Sequence, residues 1–423
     1  MKNCKKLSLI LCCILMVCVF AFAGCALLRV GDYYFKPYVG SETENEKITL
    51  NTEGLSLQEK RTKIAEEYIK ISFTVIIAKK VDTVVYTSAG VEKSKNTKET
   101  FSSFGSGTII HKGGYILTNY HVIQTALTEP STVNQTNAAT REITKITTSY
   151  VVYVSQDGGE TVYDATILWS GYNFDLAVIV CEQFAELKAA PLKDRSVYCS
   201  QEDKINVLED IITVGTQYNQ ENYGSATTGT ISSNIVRSVY GSDLNLNYEY
   251  LIQHDAAINH GNSGGALIDM NGNLIGVNTL GVDNANSLFY AVSVYPVISI
   301  LPTIVKNWEN KAQATTDVVI GFSGIDKLMV RNAPTGAVAD QYLDFNKSGV
   351  IVIGVNADCI VSGLKVNDII KEIRFTDGTT SETFKINCTY DFLYARLRMH
   401  DYKTATFVVE RDGTNVELIL NQG

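Results

Sequence analysis

Ser263 lies in the segment HGNSGG, residues 260–265, where its hydroxyl could act as a nucleophile. A serine hydroxyl is unreactive until a neighbouring base takes its proton, and that base needs an acid to orient it. His121 follows the apolar segment GYILTNY, and Asp175 precedes the entirely apolar segment LAVIVC. A carboxylate at that position is costly to bury unless it is partnered, and a histidine Nδ1–H would serve as its donor. These three residue types can together attack a carbonyl carbon.

Two glycines stand on either side of Ser263 and indicate that the backbone passes close to a bound ligand. Gly261 and Gly264 can adopt dihedral angles that residues with a Cβ rarely tolerate. The N–H groups of Gly261 and Ser263 are therefore candidates for an oxyanion hole. Each donor of such a site typically contributes about 10²–10³-fold in rate.

The segments that must position these residues are short, rich in β-branched side chains and separated by Gly, Asn and Asp. Examples between residues 71 and 308 are YVVYV, LAVIVC, DIITVGT and ALIDMNGNLIGVNT. This pattern predicts a mainly β fold, and its length favours two β-barrels over one. The long insertion 128–150 interrupts the pattern, and its Thr/Asn-rich part is predicted to form an exposed loop.

A helix is predicted before the first of these strands. The segment SLQEKRTKIAEEYIK begins with Ser56 and Glu59 in the spacing of a capping box and continues with helical periodicity. Residues 25–70 are accordingly expected to form a polar tether followed by a short amphipathic helix.

Residues 1–24 have the pattern of an export signal. A short basic segment, MKNCKK, precedes an apolar stretch that is short for a membrane span. The stretch ends in Phe22-Ala23-Gly24-Cys25, which resembles the lipobox of bacterial lipoproteins and implies lipidation of Cys25. The alternatives are a signal peptide cut near Ala23 or an uncleaved anchor. A diacylated cysteine would suffice for stable attachment to a membrane.

The charge of the chain argues against nucleic-acid binding. Loss of residues 1–24 removes three lysines and no acid, so the formal charge changes from −9 to −12. Nucleic acid and anionic lipid are poor partners for such a chain. The cysteines of the remaining chain beyond Cys25 match no metal-binding spacing, so no metal or cofactor is expected. They could form disulfides or remain buried thiols, with the pairs being Cys181–Cys199 and Cys359–Cys388.

The order His121, Asp175, Ser263 is that of the chymotrypsin-type triad. In sequence and in order, the segments GSGTII, DLAVIV, TTGTISS, QHDAAINHGNSGGALIDMNGNLIGVNT and FYAVSV resemble the HtrA/Deg family of trypsin-like serine proteases. The resemblance implies that residues 71–308 form a protease domain of two barrels that cleaves unfolded or exposed polypeptide. It also implies that homotrimers are the usual assembly.

The same resemblance predicts a substrate pocket walled by Ile258 and by Val277-Asn278-Thr279. None of these residues is charged, so small or medium aliphatic side chains are the expected substrates. The family usually has proline where this chain has His260, which predicts a less restrained loop whose oxyanion hole can rest malformed. Asn262 replaces the aspartate that trypsin-like zymogens pair with a new N-terminus, so activation by N-terminal cleavage is not expected.

The last hundred residues resemble a PDZ domain, most clearly in the segment SGLKVNDII. After a linker at residues 309–317, we expect an α+β PDZ domain at residues 318–423, closed by a hairpin through Asp412-Gly413. The segment Val319-Ile320-Gly321-Phe322 fits a loop whose N–H groups bind the C-terminal carboxylate of a peptide. The alternative for this segment is a plain β-strand with a glycine bulge.

Taken together, the sequence predicts a serine endopeptidase with one PDZ domain, anchored by lipid outside a bacterial cell membrane and acting in protein quality control. Two alternatives remain open at this stage. One is a catalytically silent adaptor that displays its PDZ domain, and the other is a processing protease for a single partner.

Overall fold

The computed structural model describes residues 47–195, 204–233, 239–240, 247–248, 251–281, 287–310, 315–316, 322–325, 347–357, 359–387, 389–399 and 402–421. Cys25, Val319, Ile320 and Gly321 lie outside the described residues, as do Cys199 and Cys388. Cys181 and Cys359 are free thiols, and burial raises the pKa of the Cys181 thiol. In the part that is described, no helix has both the length and the apolar character needed to span a bilayer.

Helix α1 (Leu57–Ile69) begins with the predicted capping box. The Ser56 hydroxyl accepts from the Glu59 N–H, and the Glu59 carboxylate accepts from the Ser56 N–H at 2.8 Å. The buried Tyr68 donates its hydroxyl to Gly272 O at 2.9 Å, which ties the helix to a distant turn. The prediction of a capped helix before the first core strand is therefore confirmed.

The first barrel is a six-stranded sheet that closes because the first and last strands in the sheet order pair with each other. The strand order is β6-β7-β3-β2-β1-β5, with β5 also pairing with β6. Apolar side chains of all six strands fill the interior. The elements are β1 (Ser72–Tyr86), β2 (Glu92–His111), β3 (Tyr115–Thr118), the one-turn helix α2 (Tyr120–Ile123), β4 (Ser131–Thr136), β5 (Ile143–Ser155), β6 (Tyr163–Gly171) and β7 (Leu176–Val180).

Four of these strands extend beyond the barrel as a sheet in the order β2-β1-β5-β4. We call this extension, residues 79–103 and 131–150, the blade. The loop predicted for the Thr/Asn-rich part of residues 128–150 is therefore wrong in its conformation, because Ser131–Thr136 forms β4, although that strand is exposed as predicted. The Thr, Val and Ile residues of 128–150 prefer extended backbone, and β1 supplies a neighbouring strand with which β5 pairs.

The second barrel is closed in the order β12-β15-β14-β13-β8-β9. Two six-stranded barrels are thus present, which confirms the predicted mainly β fold. The strands of the second barrel are β8 (Asp210–Gly215), β9 (Ser225–Ser233), β12 (Ile252–His254), β13 (Ala266–Asp269), β14 (Leu274–Gly281) and β15 (Phe289–Ser293). The same part of the chain also contains the two-residue strands β10 (Val239–Tyr240) and β11 (Asn247–Tyr248), which pair with each other, and the helix α3 (Tyr295–Glu309).

Among its described residues, the C-terminal unit is a separate sheet with one helix. The strand order is β17-β18-β19-β21-β22, with β20 paired to β19, and α4 packs against α3. Asp412 and Gly413 have φ of 51° and 78° and form the predicted hairpin turn. Its elements are β17 (Phe322–Ile325), β18 (Val350–Val355), β19 (Ile369–Thr376), β20 (Ser381–Lys385), α4 (Thr389–Arg398), β21 (Thr404–Arg411) and β22 (Thr414–Asn421), and the preceding β16 (Thr315–Thr316) pairs with β6.

Candidate active site

The one-turn helix α2 brings His121 against Asp175. The His121 ring Nδ1 lies 3.0 Å and 2.9 Å from the two carboxylate oxygens of Asp175, and the His121 backbone N–H donates to one of them at 3.0 Å. Asn119, which precedes α2 and is buried, donates its side-chain amide to Asp175 O at 2.8 Å. The Asp175 contact assigns the proton to Nδ1, so Nε2 is left to accept one.

Asp175 occupies a turn that most residues avoid. It ends the single 3-10 turn of residues 172–174 with φ of 50°, a left-handed conformation that aspartate adopts more readily than most side chains. The turn leaves the carboxylate beneath α2 with only 1% of the residue exposed. Its donors include the His121 N–H groups and the Thr279 hydroxyl at 2.5 Å. The burial is thus compensated by hydrogen bonds to both oxygens.

Thr279 has a contact that the sequence did not reveal. It was predicted as a pocket wall, but its hydroxyl bonds to Asp175 and its carbonyl accepts from Ser263 Oγ at 3.0 Å. Among the described residues, the Ser263 hydroxyl bonds to this carbonyl and not to His121. The only sequence signal was a hydroxyl at the end of the otherwise apolar LIGVN run of β14.

The loop around Ser263 is fixed by backbone contacts from two sides. The Ser106 N–H of β2 donates to Ser263 O at 2.7 Å, and the Ser106 hydroxyl donates to Gly261 O at 2.7 Å. On the other side the Gly264 N–H donates to Asn278 O of β14 at 2.9 Å. The position of the nucleophile therefore depends on strands of both barrels.

The predicted need for glycine at two positions of this loop is confirmed. Gly261 and Gly264 have φ of 93° and 89°. A Cβ on Gly264 would lie 2.0 Å from Ser106 O, and one on Gly261 would lie 2.5 Å from the Phe104 ring. No larger residue fits either position without moving the backbone of the loop.

The amide groups predicted to bind an oxyanion are open. No described residue accepts a hydrogen bond from the Gly261 or the Ser263 N–H. The His260 carbonyl accepts from the Tyr218 N–H at 2.6 Å, and because the C=O and N–H of a trans peptide point in opposite directions, the Gly261 N–H points away from Tyr218. Both N–H groups are therefore available to a bound ligand.

Comparison with known proteins identifies relatives of the part of the chain that holds this site. A family model described as a trypsin-like peptidase domain matches residues 105–277. The chain is 26% identical over 292 residues to the serine endoprotease DegS of Escherichia coli (strain K12), covering 66% of this chain and 68% of that protein. It is 25% identical over 324 residues to DegS of Haemophilus influenzae, covering 75% and 79%. These comparisons support the HtrA/Deg family of trypsin-like serine proteases as the family that this chain resembles.

One further relative and one solved structure also match the chain. A probable periplasmic DegP-like serine endoprotease of Buchnera aphidicola is 28% identical over 287 residues, which is 66% of this chain but only 51% of that protein. The chain thus spans about half the length of that relative. A solved structure of the HtrA-type protease AlgW with a decapeptide matches 85% of this chain and 97% of that chain, with a TM-score of 0.50 and 21% identity. That match bears on the fold alone.

The residues predicted to wall the substrate pocket are all buried. Ile258, Val277 and Asn278 are buried, and the Asn278 side-chain amide is bonded to Ala266 O at 3.1 Å inside the second barrel. Asn262 is only 1% exposed, and no described residue bonds to its side chain. The aspartate-to-N-terminus pair of trypsin zymogens has no counterpart among these contacts.

Proposed function

We propose that the chain is a serine endopeptidase in which Ser263 is the nucleophile, His121 the general base and Asp175 the residue that orients it. The observation that carries the proposal is the contact of His121 Nδ1 with both carboxylate oxygens of Asp175, beside a serine whose loop presents two open N–H groups. A silent adaptor would have no need to keep a buried carboxylate fully partnered beneath a histidine.

The first step requires Ser263 Oγ to exchange one hydrogen bond for another. Its bond to Thr279 O is broken and one to His121 Nε2 is made, an exchange between bonds that each contribute about 1 kcal/mol net. Oγ then attacks the peptide carbonyl carbon while its proton passes to Nε2. The negative charge forms on the carbonyl oxygen, where the Gly261 and Ser263 N–H groups receive it.

The second step breaks the peptide bond. His121 returns its proton to the leaving amine, and an acyl-enzyme ester remains on Ser263. Water then repeats the sequence, with His121 taking its proton and giving it to Ser263 as the ester is hydrolysed. Asp175 stabilises the imidazolium in both steps, because its carboxylate lies against Nδ1.

The proposed substrates are unfolded or exposed polypeptides outside the cytoplasm. The DegP-like relative of Buchnera aphidicola is named a probable periplasmic serine endoprotease, which supports this location. We place the protease domain at residues 71–308 and a PDZ domain that binds peptide C-termini at residues 318–423, with the mature chain held at the membrane by lipid on Cys25. This arrangement suits quality control of exported proteins, and a homotrimer is the assembly proposed from the family resemblance.

The test compares residues 26–423 of the parent with the Ser263→Ala variant on casein. We expect a loss on the order of 10⁶-fold in rate, as for other triad replacements. Ser88→Ala, at an exposed turn, is the matched control and should cleave at the parent rate. Casein cleavage by Ser263→Ala at the parent rate would refute the assignment. Mapping cuts in one protein, folded and unfolded, separates quality control from processing of one folded partner.

A further inference from the structure

Strand β2 is much longer than the barrel requires, and one of its edges is unpaired. Its Glu92–Ser103 segment pairs with β1 on one side. On the other side β2 pairs with β3 only through Thr108, Ile109 and His111. Within the described residues no strand covers the second edge of Glu92–Ser103, and every residue of that segment is exposed. At about 3.3 Å per residue, this edge is about 40 Å long.

The unpaired edge leads directly to the nucleophile. Ser106, three residues beyond it, donates its N–H to Ser263 O. The Phe104 ring packs against Gly261, one of the two open amides. Phe101, which is 58% exposed, lies against Phe104 with ring centroids 6.1 Å apart. An aromatic surface therefore connects the edge to the oxyanion loop.

The geometry decides which part of a substrate faces this edge. Ser263 lies between β14, whose Thr279 O receives its hydroxyl, and β2, whose Ser106 N–H binds its carbonyl. The pocket that the family resemblance predicts for the acyl side includes Val277, Asn278 and Thr279 of β14. The segment beyond the broken bond must then leave on the β2 side.

We propose that the free edge of Glu92–Ser103 binds the leaving-group segment of an extended polypeptide as an added β-strand, with an apolar side chain of that segment packed on Phe101. This inference rests on the proposed function. Strand addition uses backbone groups, so it would tolerate many sequences, as a protease for exposed polypeptide requires. It would bind only segments that are already extended.

The edge is held ready for such a strand by side-chain contacts to its own sheet. The Thr97 hydroxyl donates to Asp82 of β1, Tyr153 of β5 donates to Glu99 at 2.7 Å, and Lys93 pairs with Glu142. An edge that is already straight loses little conformational entropy when a strand is added to it.

A second copy of the chain is a less suitable occupant than a substrate. Antiparallel pairing of two copies centred between Asn96 and Thr97 would bring Lys95 of each copy opposite Lys98 of the other. Like charges directly across a strand pair are destabilising. A polypeptide substrate carries no such fixed charge pattern.

The first experiment measures kcat/KM for two fluorogenic peptides with the same acyl side and scissile bond, one with two and one with ten residues after that bond. In the parent, kcat/KM should be higher for the long peptide than for the short one, on the order of 10-fold. Phe101→Ala should reduce this ratio several-fold. Val133→Ala on β4, the opposite edge of the blade, alters a side chain of similar exposure (56%) and should leave the ratio unchanged. Equal kcat/KM for both peptides, or a ratio unaffected by Phe101→Ala, would overturn the proposal.

The second experiment tests for strand addition itself, by binding of the long peptide to Ser263→Ala, which needs no turnover. Methylation of single backbone nitrogens of the peptide should weaken binding at alternate positions, because only every second N–H of a strand faces one neighbour. A uniform effect, or a chain dimer that Phe101→Ala dissociates, would instead rule the proposed strand addition out. Labelling of Ser263 by a fluorophosphonate separates the two hypotheses. If Ser263 is not labelled, the proposed function fails as well. If Ser263 is labelled, a negative result in these experiments contradicts only the proposal for the β2 edge.

Discussion

Replacing Thr279 with valine should slow catalysis by removing one hydrogen bond to Asp175. The Thr279 hydroxyl donates to one carboxylate oxygen at 2.5 Å, and the residue is 4% exposed, so water cannot readily replace it. A hydrogen bond to a charged group contributes about 1.5–3 kcal/mol. If that contribution is made mainly when the imidazolium forms, kcat/KM falls by about 10- to 150-fold.

The assay is hydrolysis of a fluorogenic peptide by residues 26–423, with kcat and KM determined separately. The loss should appear in kcat, because Thr279 acts through Asp175 and His121 and its carbonyl is retained in the variant. Thr279→Ser keeps the hydroxyl and should recover most of the rate. A kcat for Thr279→Val within twofold of the parent value, with an unchanged melting temperature, would refute the role of this hydroxyl.

Three further predictions concern buried positions near the site. Gly264→Ala should lower kcat by about 10²–10³-fold, since the added Cβ would meet Ser106 O at 2.0 Å and displace the Ser263 N–H; parent-like kcat would contradict this. Asn262→Asp should lower the free energy of unfolding by about 3–5 kcal/mol, because the new carboxylate would be buried without a cation; an unchanged urea midpoint would be evidence against it. Burial lowers the pKa of His254 from 6.5 to about 4, and the nearby Asp255 partly offsets this shift. As the pH is lowered, the unfolded chain therefore binds the proton before the folded chain does, so the free energy of unfolding falls between about pH 6.5 and pH 4. The loss is about 3 kcal/mol, and His254→Leu should remove this part of the pH dependence of denaturant unfolding, whereas superimposable pH curves would disprove the assignment.

The fold was predictable because each strand carries its own local pattern. Alternating or continuous β-branched runs ended by Gly, Asn and Asp identify strands without reference to their neighbours, and the Ser56–Glu59 pair identifies the helix start in the same way. The prediction of a loop within residues 128–150 failed because the Thr- and Asn-rich sequence is polar on both faces and so lacks the pattern of a strand. A strand of that kind can be recognised only once β1 is known to extend beyond the barrel and pair with it.

Within the site, the residues of the HGNSGG loop could be inferred, while the residues that hold them could not. Ser106 bonds to Gly261 and Ser263 across more than 150 positions of sequence, and Thr279 reaches Asp175 across 104. Contacts of that range leave no local periodicity. A single serine or threonine in a strand gives no sign that its hydroxyl is directed at a catalytic group.

The sharing of the site between the two barrels has a consequence for the chain during its own synthesis and folding. His121 and Asp175 belong to the first barrel and Ser263 to the second, and they are joined by Ser106 and Thr279. Neither barrel alone can hold the nucleophile, the base and the open amides together. We therefore expect a newly made chain to gain proteolytic activity only after both halves have folded and docked, so that it does not digest itself or neighbouring new chains while it is still incomplete.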